Sequence, residues 1–101
     1  MSAYTITFRI ANDSTYEDRY VSFVEELKKK VNVWWAEPTS FFAVETSESI
    51  DQFCERIYSN TKFDASKDLY LVLDANVKSG RVRGRSTDAD LYKILPYVKK
   101  L

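Results

Sequence analysis

The stretch Asp68-Leu69-Tyr70-Leu71-Val72-Leu73-Asp74 restricts the fold more than any other part of the chain. Five apolar residues stand between two aspartates, too few for a globular helix and rich in strand formers. A short continuous apolar run with polar ends is how a strand buried on both faces reads. It predicts a central strand around which the other elements pack.

The remaining segments supply those elements. Tyr4-Thr5-Ile6-Thr7-Phe8-Arg9-Ile10 alternates strictly, which predicts a strand with one covered and one more polar face. Ser14 with Glu17, or Thr15 with Asp18, is spaced to cap a following helix. Tyr20, Phe23, Val24, Leu27 and Val31 form one stripe at helical period, so that helix is expected to run to about Val31. Acidic residues at its start and Lys28, Lys29 and Lys30 at its end suit the helix dipole, so the lysines read as a solvated terminus before they read as an anion patch.

Val33-Trp34-Trp35-Ala36 and Phe41-Phe42-Ala43-Val44-Glu45-Thr46 predict a second and a third strand, separated by a break at Glu37-Pro38. Adjacent tryptophans in a strand face opposite sides. One can enter the core; the other lies on the opposite sheet face, packed within the fold or serving as a binding anchor. Ser47-Glu48-Ser49 opens a second helix whose buried stripe is Ile50, Phe53, Cys54, Ile57 and Tyr58. Cys54 on that stripe reads as a small core residue, not a nucleophile. A polar connection from Asn60 to Lys67 leads into the central strand. Beyond it, Ser79-Gly80 signals a turn, and Arg81, Arg83 and Arg85 would share one face of an extra strand. Asp88 is placed to cap a last helix with Leu91, Leu95 and Val98 on its apolar side, kept short or kinked by Pro96.

No linker or repeat divides residues 1–101, and this length suits one domain with one modest core. The order is strand-helix-strand-strand-helix-strand, then a strand and a helix. It predicts an α+β domain of ferredoxin-like arrangement with an extra C-terminal strand and helix, two helices covering one sheet face. The other face would carry Arg9, one of Trp34 and Trp35, and alternate residues of the third strand. These are candidate interface residues, because an open aromatic face invites dimerisation or a ligand.

Composition excludes several functions. Basic and acidic residues balance at fifteen each, so there is no global attraction to nucleic acid or an anionic membrane, and self-association is eased. Without histidine, the usual zinc ligand sets and histidine-based triads are missing. No metal or cofactor is expected. One cysteine rules out an internal disulfide and suits a reducing compartment. The N-terminal residues carry no signal-peptide pattern and no stretch approaches a membrane span, so a cytoplasmic, non-membrane protein is expected.

From Tyr4 to Arg85 the chain resembles the small ferredoxin-like superfamily of CRISPR-associated adaptation nucleases, VapD-type ribonucleases and SinR-like proteins. The likeness rests on the first strand, the helix with a basic end, Trp34-Trp35 followed by Thr39-Ser40-Phe41-Phe42-Ala43-Val44-Glu45-Thr46, Ser49-Ile50-Asp51, and the strand after Asp68. The third of these is close to the SinR-like pattern. The resemblance implies a homodimer. In the nuclease members the first strand ends in a metal-binding aspartate; here Arg9 stands at the matching position, and a guanidinium repels magnesium.

The sequence therefore leans away from an enzyme. The leading expectation is a homodimeric binding or adaptor module that holds a protein or a nucleic acid. It would use the open sheet face and the basic residues Lys78, Arg81, Arg83 and Arg85, whose spacing offers repeated phosphate donors. The alternatives are a metal-dependent nuclease using carboxylates such as Asp13 and Asp74, and a small mobile-element inhibitor acting by contacts alone.

Overall fold

The alternation of Tyr4, Ile6 and Phe8 with Thr5, Thr7 and Arg9 divides the sheet into two sides, the first set buried and the second half-buried to exposed. The computed structural model describes the backbone of residues 1–101 and every side chain except that of Asp90. Its elements are β1 (Ser2–Arg9), α1 (Tyr16–Lys28), β2 (Val31–Trp35), β3 (Phe41–Thr46), α2 (Ile50–Ser59), β4 (Leu69–Asp74), β5 (Gly80–Gly84), α3 (Asp90–Ile94) and β6 (Val98–Lys100). The result is a compact α+β fold with one six-stranded sheet in the order β2-β3-β1-β4-β5-β6. Every pairing is antiparallel except β5 with β6. No helix among the described residues is long and apolar enough to cross a membrane.

Register carries the division across the sheet. Ile6 sits opposite Phe42 and Val72, and Phe8 opposite Tyr70. With Tyr4 and Val44 they form the face that α1 and α2 cover. Phe23 and Leu27 from α1 and Phe53, Cys54 and Ile57 from α2 are fully buried there. The core is aromatic: Phe8 and Phe23 have ring centroids 5.1 Å apart, Phe63 and Tyr70 5.0 Å, and Tyr4 and Phe53 5.6 Å. Such tilted pairs add about 0.5–1.5 kcal/mol each beyond the area they bury. Phe63 belongs to the connection that reads as polar in sequence; it is buried between the rings of Phe23 and Tyr70.

Several boundaries differ from the sequence expectation for identifiable reasons. Helix α1 stops at Lys28, because Lys29 is extended and Lys30 takes a positive φ of 56°. Val31, expected as the last residue of the helical stripe, instead opens β2 opposite Thr46, where a β-branched side chain fits a pleated surface. Neither expected box caps α1. Thr15 is the N-cap, but its hydroxyl is occupied, donating to Asp13 and accepting from Arg19. Helix α2 does carry a capping box, between Ser49 and Gln52. The last helix covers only Asp90–Ile94 and is preceded by Ala89, not Asp88. Pro96 ends it, and Val98 moves to β6 beside Gly80 instead of continuing an apolar helix face.

Two buried ionic clusters tie the helices to the ends of the sheet. Asp68, wholly buried, accepts the Ala11 amide at 2.8 Å, the Asp64 amide at 3.0 Å and Arg19 Nε at 3.0 Å. Arg19 also reaches the Ala11 carbonyl and Asp13, and Lys67 reaches Asp13 at 2.7 Å. At the far end Arg56 forks onto Glu48 at 2.8 and 3.0 Å and donates to the carboxylate and carbonyl of Glu26. Behind the first cluster the chain passes so closely that Gly84, at φ +119°, has no room for a side chain: a Cβ there would lie 2.7 Å from Leu69 Cα and inside the Asp68 carbonyl.

Removing one member of a buried pair strands the other. Asp68→Ala is therefore expected to cost about 3–5 kcal/mol of unfolding free energy, and Gly84→Ala about 2 kcal/mol or more from its backbone conformation and crowding. Urea denaturation measures both. An Asp68→Ala protein within 1 kcal/mol (about one fifth to one third of that cost) of the parent would contradict the cluster.

Candidate functional site: a sheet face in two halves

Opposite the helices, the sheet presents Thr5, Thr7 and Arg9 of β1, Phe41, Ala43 and Glu45 of β3, Leu69, Leu71 and Leu73 of β4, and Val82 of β5. The continuous apolar run of β4 makes this reverse face apolar at its centre. The same chain covers part of it. The segment after β5 folds back, and Leu91 and Ile94 face Leu69, Leu71 and Val82 across a groove of about 420 Å³. Arg9, Thr7, Ser86 and Asp88 supply its polar lining. A second cleft continues from this groove, sharing Arg9, Leu69, Ser86 and Asp88 and adding Arg85 and Thr87.

The other half is open. Edge strand β2 contributes Val33, 58% exposed, and Trp35, 48% exposed. With Ala3, Thr5 and Ala43 they line a shallow apolar depression of about 210 Å³. Trp35 stands edge-on to Phe41 and donates from Nε1 to Glu37 at 3.0 Å. Trp34 takes the helix side, as strand alternation requires, yet remains 45% exposed on the edge strand β2. The expectation that one tryptophan enters the core is therefore corrected. Trp34 packs on Phe42 at 5.8 Å, with Lys28 Nζ 4.7 Å above its ring.

The basic residues do not form one strip. Lys78 is exposed in the turn between β4 and β5. Arg81 and Arg83 lie on the helix side of β5: Arg81 Nε donates to Asp51 of α2 at 2.7 Å, and the Arg83 guanidinium lies 3.8 Å over the ring of Tyr58. Arg85 leaves this side because the strand ends at Gly84, whose positive φ breaks the alternation. It joins Arg9, which donates to the Arg85 carbonyl at 3.4 Å. Lys99, not singled out from sequence, sits beside Arg81 through the parallel pairing of β5 and β6. Only the pairing of β5 with β6 brings it there.

The carboxylates that a metal-dependent route would need are kept apart. Asp74 pairs with Tyr4 near the start of β1, whereas Asp13 follows its other end. Among the described residues no group of three or more His, Cys, Asp or Glu side chains could hold a metal ion. Asp13 is held well below the usual carboxylate range by Lys67 first and Arg19 second. For Glu48, burial pushes upward, but the bonds and charge of Arg56 outweigh it and the net shift is downward. Burial pushes the Cys54 thiol up to about 12. No family model, no curated protein and no solved structure matches this chain.

Both acids have folded pKa values below their unfolded ones. Their contribution is present above the unfolded value of roughly 4 and is lost as pH falls through the folded values. Stability is expected to decline on acidification below about pH 4, with a shallower decline in Glu48→Gln; chemical denaturation at stepped pH checks this, and an unchanged slope would count against the Glu48–Arg56 pair. Cys54 is expected to resist a thiol-reactive dye at pH 8 (roughly half a unit below the free thiol value) in the native protein and to react on unfolding. Rapid native labelling would contradict its placement.

Proposed function

We propose that this chain is a binding module without catalytic activity, acting as a homodimer whose copies meet through the open half of the reverse sheet face. Its arrangement is taken to be ferredoxin-like. The order β2-β3-β1-β4, with α1 and α2 on one side, supports that reading, and β5, α3 and β6 extend it at one edge.

The observation that carries the proposal is the half-exposed pair Val33 and Trp35 around an apolar depression on an edge strand. Tryptophan anchors are enriched at the centres of interfaces, and exposed apolar edge strands associate unless blocked. A stable interface buries about 800 Å² on each partner, so the contact would extend from the depression over the β2 edge. A protein partner is favoured over a nucleic acid here. The depression carries no cation, and Arg81 and Arg83 on the other side already engage Asp51 and Tyr58. An unrelated protein seated on the same face would be the adaptor form of this reading.

Sedimentation is expected to return twice the 11.8 kDa chain mass at micromolar concentration. Trp35→Lys, at an exposed position, should give a folded monomer. A wild-type chain that stays monomeric at roughly 100 μM, a concentration at which even a micromolar complex would be almost wholly associated, would overturn the proposal.

A further inference from the structure

From the other half of the reverse face we infer that the groove under α3 is a binding site for a small amphipathic carboxylate: an apolar tail between helix and sheet, with the head at Arg9. The floor of the groove is Leu69, Leu71 and Val82, and its wall is Leu91 and Ile94. Its volume, about 420 Å³, falls within the range of small-molecule sites. Val82 is buried, but the half-buried Leu69, Leu71 and Leu91 and the exposed Ile94 leave apolar surface in contact with solvent; an alkyl or aryl body filling the space gains about 0.8 kcal/mol for each buried CH₂ group.

Polar groups gather at the mouth, where Arg9, Ser86 and Asp88 also line the adjoining cleft with Arg85. Among the described residues, the cleft lining holds two arginines, Arg9 and Arg85, and one acidic residue, Asp88. That balance selects an anionic head over a cationic one. A planar guanidinium matches a carboxylate through two parallel hydrogen bonds. Arg9 projects from β1, a central strand of the sheet, so its backbone is rigid beneath the mouth. Ile94, 73% exposed, stands over the opposite rim on a helix of five residues bounded by Pro96. The site lies on the β4–β5 half of the face and does not depend on the dimer contact at β2.

Methyl NMR titration of the full chain with octanoate, with 1-octanol as the uncharged comparator, tests the inference. Saturable shifts are expected at Leu69, Leu71, Val82, Leu91 and Ile94. Octanol should bind about ten-fold more weakly, the worth of one charge-assisted contact. Arg9→Gln, at an exposed position, should weaken octanoate about ten-fold and leave octanol unchanged. Equal affinity for acid and alcohol, shifts confined to Val33 and the depression beside Trp35, or no saturation at millimolar octanoate would each overturn the site. Running the titration on Trp35→Lys separates the two readings: octanoate binding should persist there, whether or not the wild-type chain dimerises.

Discussion

The buried carboxylate of Asp68 holds together more of this fold than any other single group. It joins the exit of β1 through the Ala11 amide, α1 through Arg19, and the approach to β4 through the Asp64 amide. Its own carbonyl accepts the Arg85 amide at the exit of β5. A fully desolvated carboxylate is tolerable only when all its lone pairs are occupied. Satisfying them sets the position of every segment that supplies a donor. Gly84 follows from the same constraint, because β5 can pass this close to Asp68 only without a side chain.

This anchoring has a consequence for the reverse face. Once Asp68 holds the end of β5, the chain leaves Gly84 with its alternation broken, and Arg85 and the segment after it turn toward Arg9. Helix α3 is thereby placed over one half of the sheet and leaves the other half open. Two different surfaces result from one apolar face. One is a groove with charged groups at its mouth; the other is a flat aromatic edge. Their chemistry suits a small amphiphile in the first case and a second protein surface in the second.

The ionic clusters also bear on catalysis. Carboxylates that accept two or more bonds from guanidinium groups and amides are poor bases, since each bond favours the ionised form. Asp13 and Glu48 are both committed in this way. Their role is to fasten α1 and α2 to opposite ends of the sheet. Cys54 is similarly unsuited to nucleophilic work, because burial keeps it a thiol.

The sequence by itself determined strands β1 to β4 and the two long helices, because periodicity is a local property. Tyr4, Ile6 and Phe8 alternate, Phe53, Cys54 and Ile57 recur at helical spacing, and the run after Asp68 reads as a strand apolar on both faces. The opposed faces of Trp34 and Trp35 were legible for the same reason. Tertiary structure alone decided what joins residues distant in the chain: Arg19 with Asp68, Arg56 with Glu26 and Glu48, Lys99 beside Arg81, and Leu91 across from Leu69. It also decided that Val31 is strand and that Arg85 departs from Arg81 and Arg83. Charges carry no period that reveals their partners. Their pairing depends on which desolvated group needs a donor once the sheet has assembled, and that need exists only in the folded chain.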